Sequence, residues 1–448
     1  MSDSPAPEHI AFTEWAQSNG IEINGVAPAH FPGRRLGMIA TRNIEENEVL
    51  LSIPVSLMLT SDSVPESFVS RFPEGTSNHA LLAAYLTHGD STSGPLSGID
   101  TWKAVWPSWE EFEQSMPLFW TGKLRASNLD SLTEGSTGAT GWNEDGIVSE
   151  PGMSLLPPSI SNHWASQQIN TGNTKATSAY SYDTRYQNLL AQQYKRLRDH
   201  WTSVVSVFPS TVWTDFARNW AVVNSRSFYY VSPEKEEPED WNDAIALVPY
   251  ADYFNHVDDA DCEVHFDGKE YTFKASRQYE KGEEIYMSYG SHSNDFLLVE
   301  YGFYLEDNPS DAVYLDGIIL ADLDAGQTKD LAEYDYFGNF ELTSSGVGDS
   351  TIAAASIKYM SDPDWRNYVT GVSERGFDKN KTADIIRGWI GIYLEECSIK
   401  TESLIRLSET ISAESEREKL DSMLDRWRQI RCLCQSAMSA ISEQTTNT

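Results

Sequence analysis

YADYFNH, at positions 250–256, decides the fold of this chain together with GEEIYMSYGSHSN at 282–294. Both segments alternate apolar and polar residues, which is typical of short strands with one buried face. The first segment places Asp252 and Asn255 among aromatic residues, and the second ends close to Tyr289. Taken alone, each pattern also fits a hydrogen-bonded polar turn beside a half-buried strand.

Composition limits the class of protein. A chain of 448 residues exceeds the roughly 250–300 residues at which one hydrophobic core stops growing, so more than one domain is expected. The net charge of −34 argues against direct nucleic-acid binding, which needs clustered Lys and Arg, and favours a basic protein partner. We expect a monomer.

Cysteine use and hydropathy indicate the compartment. The 4 cysteines are typical of free thiols in a reducing environment rather than of a disulfide framework. The acidic N-terminal sequence does not resemble a signal peptide. No apolar run reaches the roughly 18 residues of a membrane span. The expectation is a cytoplasmic or nuclear protein without a membrane segment.

Apolar spacing predicts where the regular elements lie. The pattern predicts strands within 36–60 and 244–290, and helices at 78–89, 186–208 and 212–230. Beyond Asp307 the spacing is helical again, most clearly over 415–441.

One region interrupts this order. Residues 126–182 are rich in Ser, Thr, Gly and Asn, which indicates an insertion of loops. Within it, MSLLPPSI at 153–160 carries a Leu pair that we expect to anchor the insertion to a core.

Several kinds of chemistry find little support. The chain lacks the GxxxxGK[ST] phosphate loop, and no GxGxxG follows a strand and opens a helix. His256, Cys262 and His265 fall short of the four ligands of a structural zinc site, so no metal is expected. Cys262 as a nucleophile needs an orienting third group, and a buried thiol is the commoner role.

Four blocks, in order, carry a family resemblance. They are LGMIATRNIEENEVLLSIP (36–54), NSRSFYY (224–230), YADYFNH (250–256) and KGEEIYMSYGSHSNDFLLVEYGF (281–303). The ordered set resembles the split SET-domain methyltransferases related to the Rubisco large-subunit lysine methyltransferase.

The resemblance implies an α+β fold. A SET domain of small curved β-sheets with a pseudoknot is expected over 1–304, interrupted by a helical and loop insert at about 61–214. An all-helical C-terminal domain that helps to bind substrate is expected over 305–448.

The resemblance also implies an activity and a cofactor. It predicts an S-adenosylmethionine-dependent protein-lysine N-methyltransferase that acts on a non-histone protein such as a ribosomal protein. The cofactor-binding residues that it implies are Arg35, Leu36, Gly37, Arg226, Asn255, His256, Tyr289 and Phe303. Arg226 would bind the cofactor carboxylate, and Phe303 would pack on the adenine. Arg35 stands where the family usually has glycine, so its contact is expected from the backbone.

Tyr289 is the catalytic residue that the resemblance implies, because its phenol can orient an amine beside a sulfonium methyl group. The residues expected to line a lysine tunnel are Ser225, Phe228, Asp252 and Tyr301. Two alternatives remain open. One is a protein-histidine methyltransferase, since relatives acting on actin carry an amide-bearing residue at the position of Phe228. The other is a SET-fold binding module with little catalytic activity.

Overall fold

The computed structural model describes residues 6–31, 34–90, 98–120, 142–143, 146–147, 155–165, 180, 182, 184–233, 235–238 and 240–446. Most of the predicted loop insertion at 126–182 therefore lies outside the described residues, and its loop character stays a prediction.

Helices occupy both the predicted insert and the C-terminal part. The α-helices are α1 (Pro7–Ser18), α2 (Glu66–Val69), α3 (Asn78–His88), α4 (Ile99–Lys103), α5 (Trp109–Ser115), α6 (Pro158–Ser161), α7 (Leu189–Val207), α8 (Trp213–Arg226), α9 (Asn294–Tyr301), α10 (Asp316–Asp322), α11 (Ala325–Glu333), α12 (Asp349–Ser356), α13 (Asp362–Val369), α14 (Lys379–Ser408) and α15 (Glu414–Thr446). Short 3-10 helices lie at Val55–Leu57, Ser61–Ser63, Pro117–Phe119, Trp241–Asp243 and Ala251–Tyr253.

The strands are short. They are β1 (Glu22–Ile23), β2 (Val26–Phe31), β3 (Arg34–Ala40), β4 (Val49–Pro54), β5 (Trp142–Asn143), β6 (Gly146–Ile147), β7 (Ser227–Tyr229), β8 (Ile245–Leu247), β9 (Asn255–His256), β10 (Cys262–Phe266), β11 (Glu270–Ala275), β12 (Glu284–Met287), β13 (Ala312–Tyr314), β14 (Glu341–Thr343) and β15 (Gly346–Val347).

The described strands form several small sheets. Two are four-stranded, with the orders β1-β4-β11-β10 and β2-β3-β12-β9, and the smaller ones are β13-β14-β15, β5-β6 and β7-β8. Alternation explains β11, where Tyr271, Phe273 and Ala275 are buried and the residues between them are partly exposed. Gly268, with φ of +89°, turns the chain between β10 and β11. The predicted α+β fold with small sheets is confirmed.

Two details differ from the predictions. The helix expected over 212–230 ends at Arg226, because Ser227–Tyr229 pairs with Ile245–Leu247 as a strand. The hydroxyl of Ser227 donates to the carbonyl of Val223 and so satisfies a free carbonyl of the last helical turn.

The C-terminal part is mainly helical but contains the sheet β13-β14-β15, so it is not all-helical.

Buried apolar residues connect the two predicted domains. They form one cluster that runs from Phe12 to Ile441, and the proposed boundary near residue 304 stays a prediction. Leu155 and Leu156 are buried, as expected of an anchor for the insertion. The indole of Trp427, on α15, donates to the carbonyl of Leu155 at 2.9 Å.

No helix of the described residues combines the length and apolarity needed to cross a bilayer.

A buried ion cluster fixes α15 against the middle of the chain. Arg426 is fully buried, and its Nε lies 2.7 Å from Oδ1 of Asp295, on α9. Its Nη1 and Nη2 donate to the two carboxylate oxygens of Asp311 at 2.6 and 3.0 Å. Bidentate pairing of this kind orients both partners. The C-terminal helix is therefore tied to α9, which ends at Tyr301.

Replacing Arg426 by Met should lower the free energy of unfolding by about 3–5 kcal/mol, because two carboxylates would stay in the interior without their counter-charge. Urea denaturation at neutral pH measures this change. Arg406→Met is the matched control, since the side chain of Arg406 is 68% exposed in its pair with Glu402 and such pairs contribute about 0–1 kcal/mol. Similar losses for the two variants would contradict a structural role for the cluster.

Candidate active site

One strand brings the distant sequence blocks together. β12 pairs antiparallel with β3, where Ile285 opposes Met38, and parallel with β9, where Met287 opposes His256. Segments more than two hundred positions apart in the chain thus become neighbours. Tyr289 follows β12 directly and lies beside His256.

Tyr289 is held by two hydrogen bonds and a ring contact. Its backbone N–H donates to Nδ1 of His256 at 3.0 Å, and the two rings stack with centroids 5.0 Å apart. Its phenol donates to the carbonyl of Phe254 at 2.6 Å. Burial raises the pKa of Tyr289 to about 12, so the phenol is protonated at neutral pH and its oxygen keeps lone pairs that can accept.

The same contact defines the state of His256. Because Nδ1 accepts from Tyr289, the ring proton belongs on Nε2. Nε2 is buried and has no hydrogen-bond partner among the described residues. Burial also lowers the pKa of His256. The imidazole is therefore neutral and presents a buried donor.

Two further aromatic residues pack around Tyr289. The rings of Tyr301 and Phe303 lie 5.2 and 6.2 Å from its ring. Gly302, with φ of +80°, ends α9 between them and reverses the chain. Tyr301 and Phe303 are both half-buried, so their rings are accessible to a ligand.

Arg226 and Asp252 form an ion pair. Nη1 of Arg226 lies 3.2 Å from Oδ2 of Asp252 and donates to its carbonyl at 2.9 Å. The indole of Trp102 donates to the same Oδ2 at 3.3 Å, whereas Oδ1 is buried without a partner in the part of the chain that the structure describes. Burial raises the pKa of Asp252, although Arg226 acts in the opposite direction. Both residues were predicted at the site, but their pairing was not.

The backbone around Asp252 is strained. Tyr250 precedes the 3-10 turn Ala251–Tyr253 and has a φ of +73°, a conformation that bulky residues seldom adopt. Its ring is fully buried and packs edge-on against Tyr253 at 5.3 Å. Packing of this side chain keeps the turn in the shape that directs Asp252 towards Arg226.

Asn255 is oriented by a carboxylate that sequence reasoning missed. Its Nδ2 donates to Oε1 of Glu284 at 2.7 Å and to the carbonyl of Leu36 at 3.1 Å, which leaves Oδ1 as the remaining acceptor. A Cβ at Gly37 would lie 2.5 Å from Oε1 of Glu284 and 2.6 Å from Nδ2 of Asn255, so glycine permits this approach. Only the parallel pairing of β12 with β9 reveals this role of Glu284.

The site lies in a cavity of about 1740 Å³. The predicted site residues in its wall include Leu36, Ser225, Arg226, Phe228, Asp252, Asn255, His256, Tyr289, Tyr301 and Phe303. Arg35 and Gly37 belong to β3, next to Leu36.

Cys262 is buried and its pKa is raised to about 12 by burial, which makes it a poor nucleophile.

A family profile described as "SET domain" matches residues 35–290. The chain belongs to the SET-domain family. The family resemblance predicted from the four sequence blocks is therefore confirmed, and the SET-domain match covers the residues that build the cavity from β3 to Tyr289.

Relatives within the family are named for different activities. SET domain-containing protein 4 of Homo sapiens is 24% identical over 334 residues, covering 71% of this chain and 63% of that protein. A ribosomal lysine N-methyltransferase of Schizosaccharomyces pombe is 28% identical over 232 residues, covering 48% and 57%. An actin-histidine N-methyltransferase of Drosophila melanogaster is 26% identical over 340 residues, covering 72% and 55%. The chain thus spans less than two thirds of each relative.

Solved structures agree on the fold. The SET domain of LSMT bound to lysine and AdoHcy superposes with a TM-score of 0.57 at 16% identity, covering 99% of this chain and 93% of that one. Rubisco LSMT bound to AdoMet gives the same TM-score at 16% identity, covering 98% and 92%. The likeness extends over the C-terminal helices.

The protonation state of His256 can be tested directly. We expect its ring to carry a proton on Nε2 alone and to stay neutral below pH 6.5, since burial lowers its pKa from that ordinary value. The unfolded chain then takes up a proton before the folded chain does, so this contribution to stability is lost as the pH falls from 6.5 towards the folded pKa. Long-range ¹H–¹⁵N NMR of the ring reports both properties, with the exposed His265 as an internal reference. A His256 ring protonated on both nitrogens at pH 6.5 would contradict the assignment.

Proposed function

We propose that this protein is an S-adenosylmethionine-dependent protein-lysine N-methyltransferase that modifies a non-histone protein such as a ribosomal protein. The observation that carries the proposal is the buried phenol of Tyr289. It is fixed by His256 and Phe254 in the same cavity as the Arg226–Asp252 pair.

The cavity residues fit the parts of S-adenosylmethionine, which supplies an electrophilic methyl group on a positively charged sulfur when bound. Arg226 can bind the carboxylate through a charge-assisted hydrogen bond. Oδ1 of Asn255 is suited to accept from the amino group. Nε2 of His256, a buried donor without a partner among the described residues, suits a ring nitrogen. The half-buried ring of Phe303 offers a face for the adenine.

A second group of cavity residues suits the side chain of a substrate lysine, with its terminal amine and its aliphatic stem. The phenol hydrogen of Tyr289 is used by the carbonyl of Phe254, so the phenol oxygen can accept from an incoming N–H. Oδ1 of Asp252 can accept a second one. Phe228, in edge contact with Phe273 at 6.0 Å, gives an apolar wall for methylene groups. Together these residues can orient a lysine amine and exclude water from it.

A lysine nucleophile must lose its proton. From its ordinary pKa of about 10.4, deprotonation at pH 7 requires about 4–5 kcal/mol. Desolvation in the cavity and the positive charge of the cofactor both lower the pKa of the amine. A dedicated strong base is therefore not required of this chain, and the protonated phenol of Tyr289 would be a poor one.

Lysine is favoured over histidine because Phe228 is apolar and its side chain is packed among aromatic rings. Relatives named for each activity exist, so the modified residue is part of the test.

The purified protein is incubated with labelled cofactor and a cell extract, and mass spectrometry locates the label. Label on histidine would overturn the lysine assignment. Cofactor binding without transfer to any protein would favour the non-enzymatic binding module.

Tyr289→Phe should reduce the rate of methyl transfer roughly 10²-fold or more, because the variant lacks the oxygen that orients the amine. The dissociation constant of the cofactor should change little. Single-turnover transfer and calorimetric cofactor binding measure the two effects.

The matched control for this variant is Tyr279→Phe. Tyr279 is buried and its phenol donates to the carbonyl of Asp261 at 2.7 Å, but it does not line the cavity. The Tyr279→Phe variant therefore loses the same kind of hydrogen bond, but at a position outside the cavity. Equal losses of activity in the two variants would show that Tyr289 acts only through stability.

Arg226→Met should weaken cofactor binding about 10- to 100-fold, the equivalent of the roughly 1.5–3 kcal/mol of a hydrogen bond to a charged group. The substitution also leaves Asp252 buried without its counter-charge, which destabilises the fold. The double variant Arg226→Met, Asp252→Asn removes that penalty. It should regain thermal stability without regaining cofactor affinity, and recovery of affinity would refute direct binding by Arg226.

A further inference from the structure

Three large apolar side chains of the cavity lining are exposed to solvent. Tyr229, Trp241 and Val264 are 62%, 46% and 37% exposed, and all three belong to the cavity wall. They come from β7, from the 3-10 helix Trp241–Asp243 and from β10, so the fold brings them together from separate segments. We name these three residues the mouth surface. Apolar side chains gathered at the rim of a site are typical of a surface that contacts a partner.

A continuous series of aromatic rings leads from this surface to the catalytic tyrosine. Neighbouring rings in the series have centroids 4.7 to 6.0 Å apart, in the order Phe266, Tyr271, Phe228, Phe273 and Phe254. The phenol of Tyr271 donates to the carbonyl of Tyr229 at the outer end. At the inner end the carbonyl of Phe254 accepts from Tyr289. Phe266, Tyr271, Phe228 and Phe254 line the cavity, whereas Phe273 is fully buried behind them. A lysine whose amine lies at Tyr289 and whose stem follows Phe228 would therefore place its backbone towards the mouth surface.

The rim next to the mouth surface is acidic. Glu237 accepts from the phenol of Tyr229 at 2.7 Å, and Glu236 and Asp240 are exposed on the same connection between β7 and β8. The cation of that connection, Lys235, is paired with Asp62. Carboxylates beside an apolar surface attract basic groups and repel acidic ones.

We propose that the mouth surface binds the segment of substrate that carries the target lysine, and that it selects a large apolar residue next to this lysine with Lys or Arg beyond it. The inference rests on the proposed methyltransferase function and adds a class of substrate sequence to it. Apolar neighbours would pack on Trp241 and Tyr229, and basic residues would meet Glu236 and Glu237.

A matched set of lysine peptides tests this selection. The reference peptide carries leucine next to the lysine and arginines beyond it; a second replaces the leucine by serine, and a third replaces the arginines by glutamate. Each peptide is measured with the full chain, both for methyl transfer with labelled cofactor and for binding by fluorescence anisotropy. We expect the reference peptide to be preferred about tenfold over each of the others.

Two variants connect that preference to the named residues. Trp241→Ala should raise the KM for the reference peptide to that of the serine peptide. The double variant Glu236→Gln, Glu237→Gln should remove the discrimination against glutamate and weaken the salt dependence of binding. Ile405→Ala is the control, because Ile405 is 47% exposed but lies outside the cavity, and it should leave every KM unchanged.

The outcomes separate this inference from the proposed function. Selective binding without methyl transfer would support the mouth surface and overturn the methyltransferase. Transfer without selection, or unchanged KM values in both variants, would overturn the mouth surface and leave the activity standing. Absence of binding to every peptide also overturns the mouth surface. A sedimentation coefficient that falls in Trp241→Ala would assign the surface to a contact between copies of the chain, and would overturn the proposal.

Discussion

The site depends on one strand, β12, which is hydrogen-bonded on one side to β3 and on the other to β9. Tyr286 opposes Asn255 and Glu284 opposes Ile39, so one register sets the positions of three sequence blocks. A slip by one residue would turn every side chain of β12 to the opposite face. The carboxylate that orients Asn255 would then leave it, and Tyr289 would no longer meet His256.

Desolvation then sets the chemical character of the cavity. Burial raises the pKa of Tyr289 and lowers that of His256, so both rings are neutral. Arg226 and Asp252 form an ion pair in the cavity, where each partner offsets the other's loss of hydration. The cavity lowers the pKa of an entering amine through desolvation. It also keeps Arg226 within reach of an incoming carboxylate, which can replace or share the contact with Asp252.

Sequence reasoning named part of the cavity wall, but it missed other lining residues, such as Glu300 and His292, and much of what positions the wall. Asn255, His256 and Tyr289 were found because their chemistry lies in short, ordered blocks. Glu284 was missed because its partner is far away in the chain and only strand pairing brings it close. Strand β7 was read as the end of a helix, since Ser227–Tyr229 gains its partner only from β8. The sheet β13-β14-β15 was missed for a similar reason, because strands of two or three residues leave little periodicity to detect.

The C-terminal helices are physically part of the site rather than an appendage to it. Arg426, on α15, donates to the carboxylate of Asp295 in the first turn of α9. The last residue of α9 is Tyr301, whose ring packs on that of Tyr289. An eight-residue helix is too short to be stable by itself in water, so tertiary contacts determine its position. A movement of α15 would therefore act through Asp295 on the aromatic wall that faces the proposed substrate lysine. The proposed methyl transfer at Tyr289 and the predicted binding of a substrate protein along the C-terminal helices are accordingly expected to be coupled through α9.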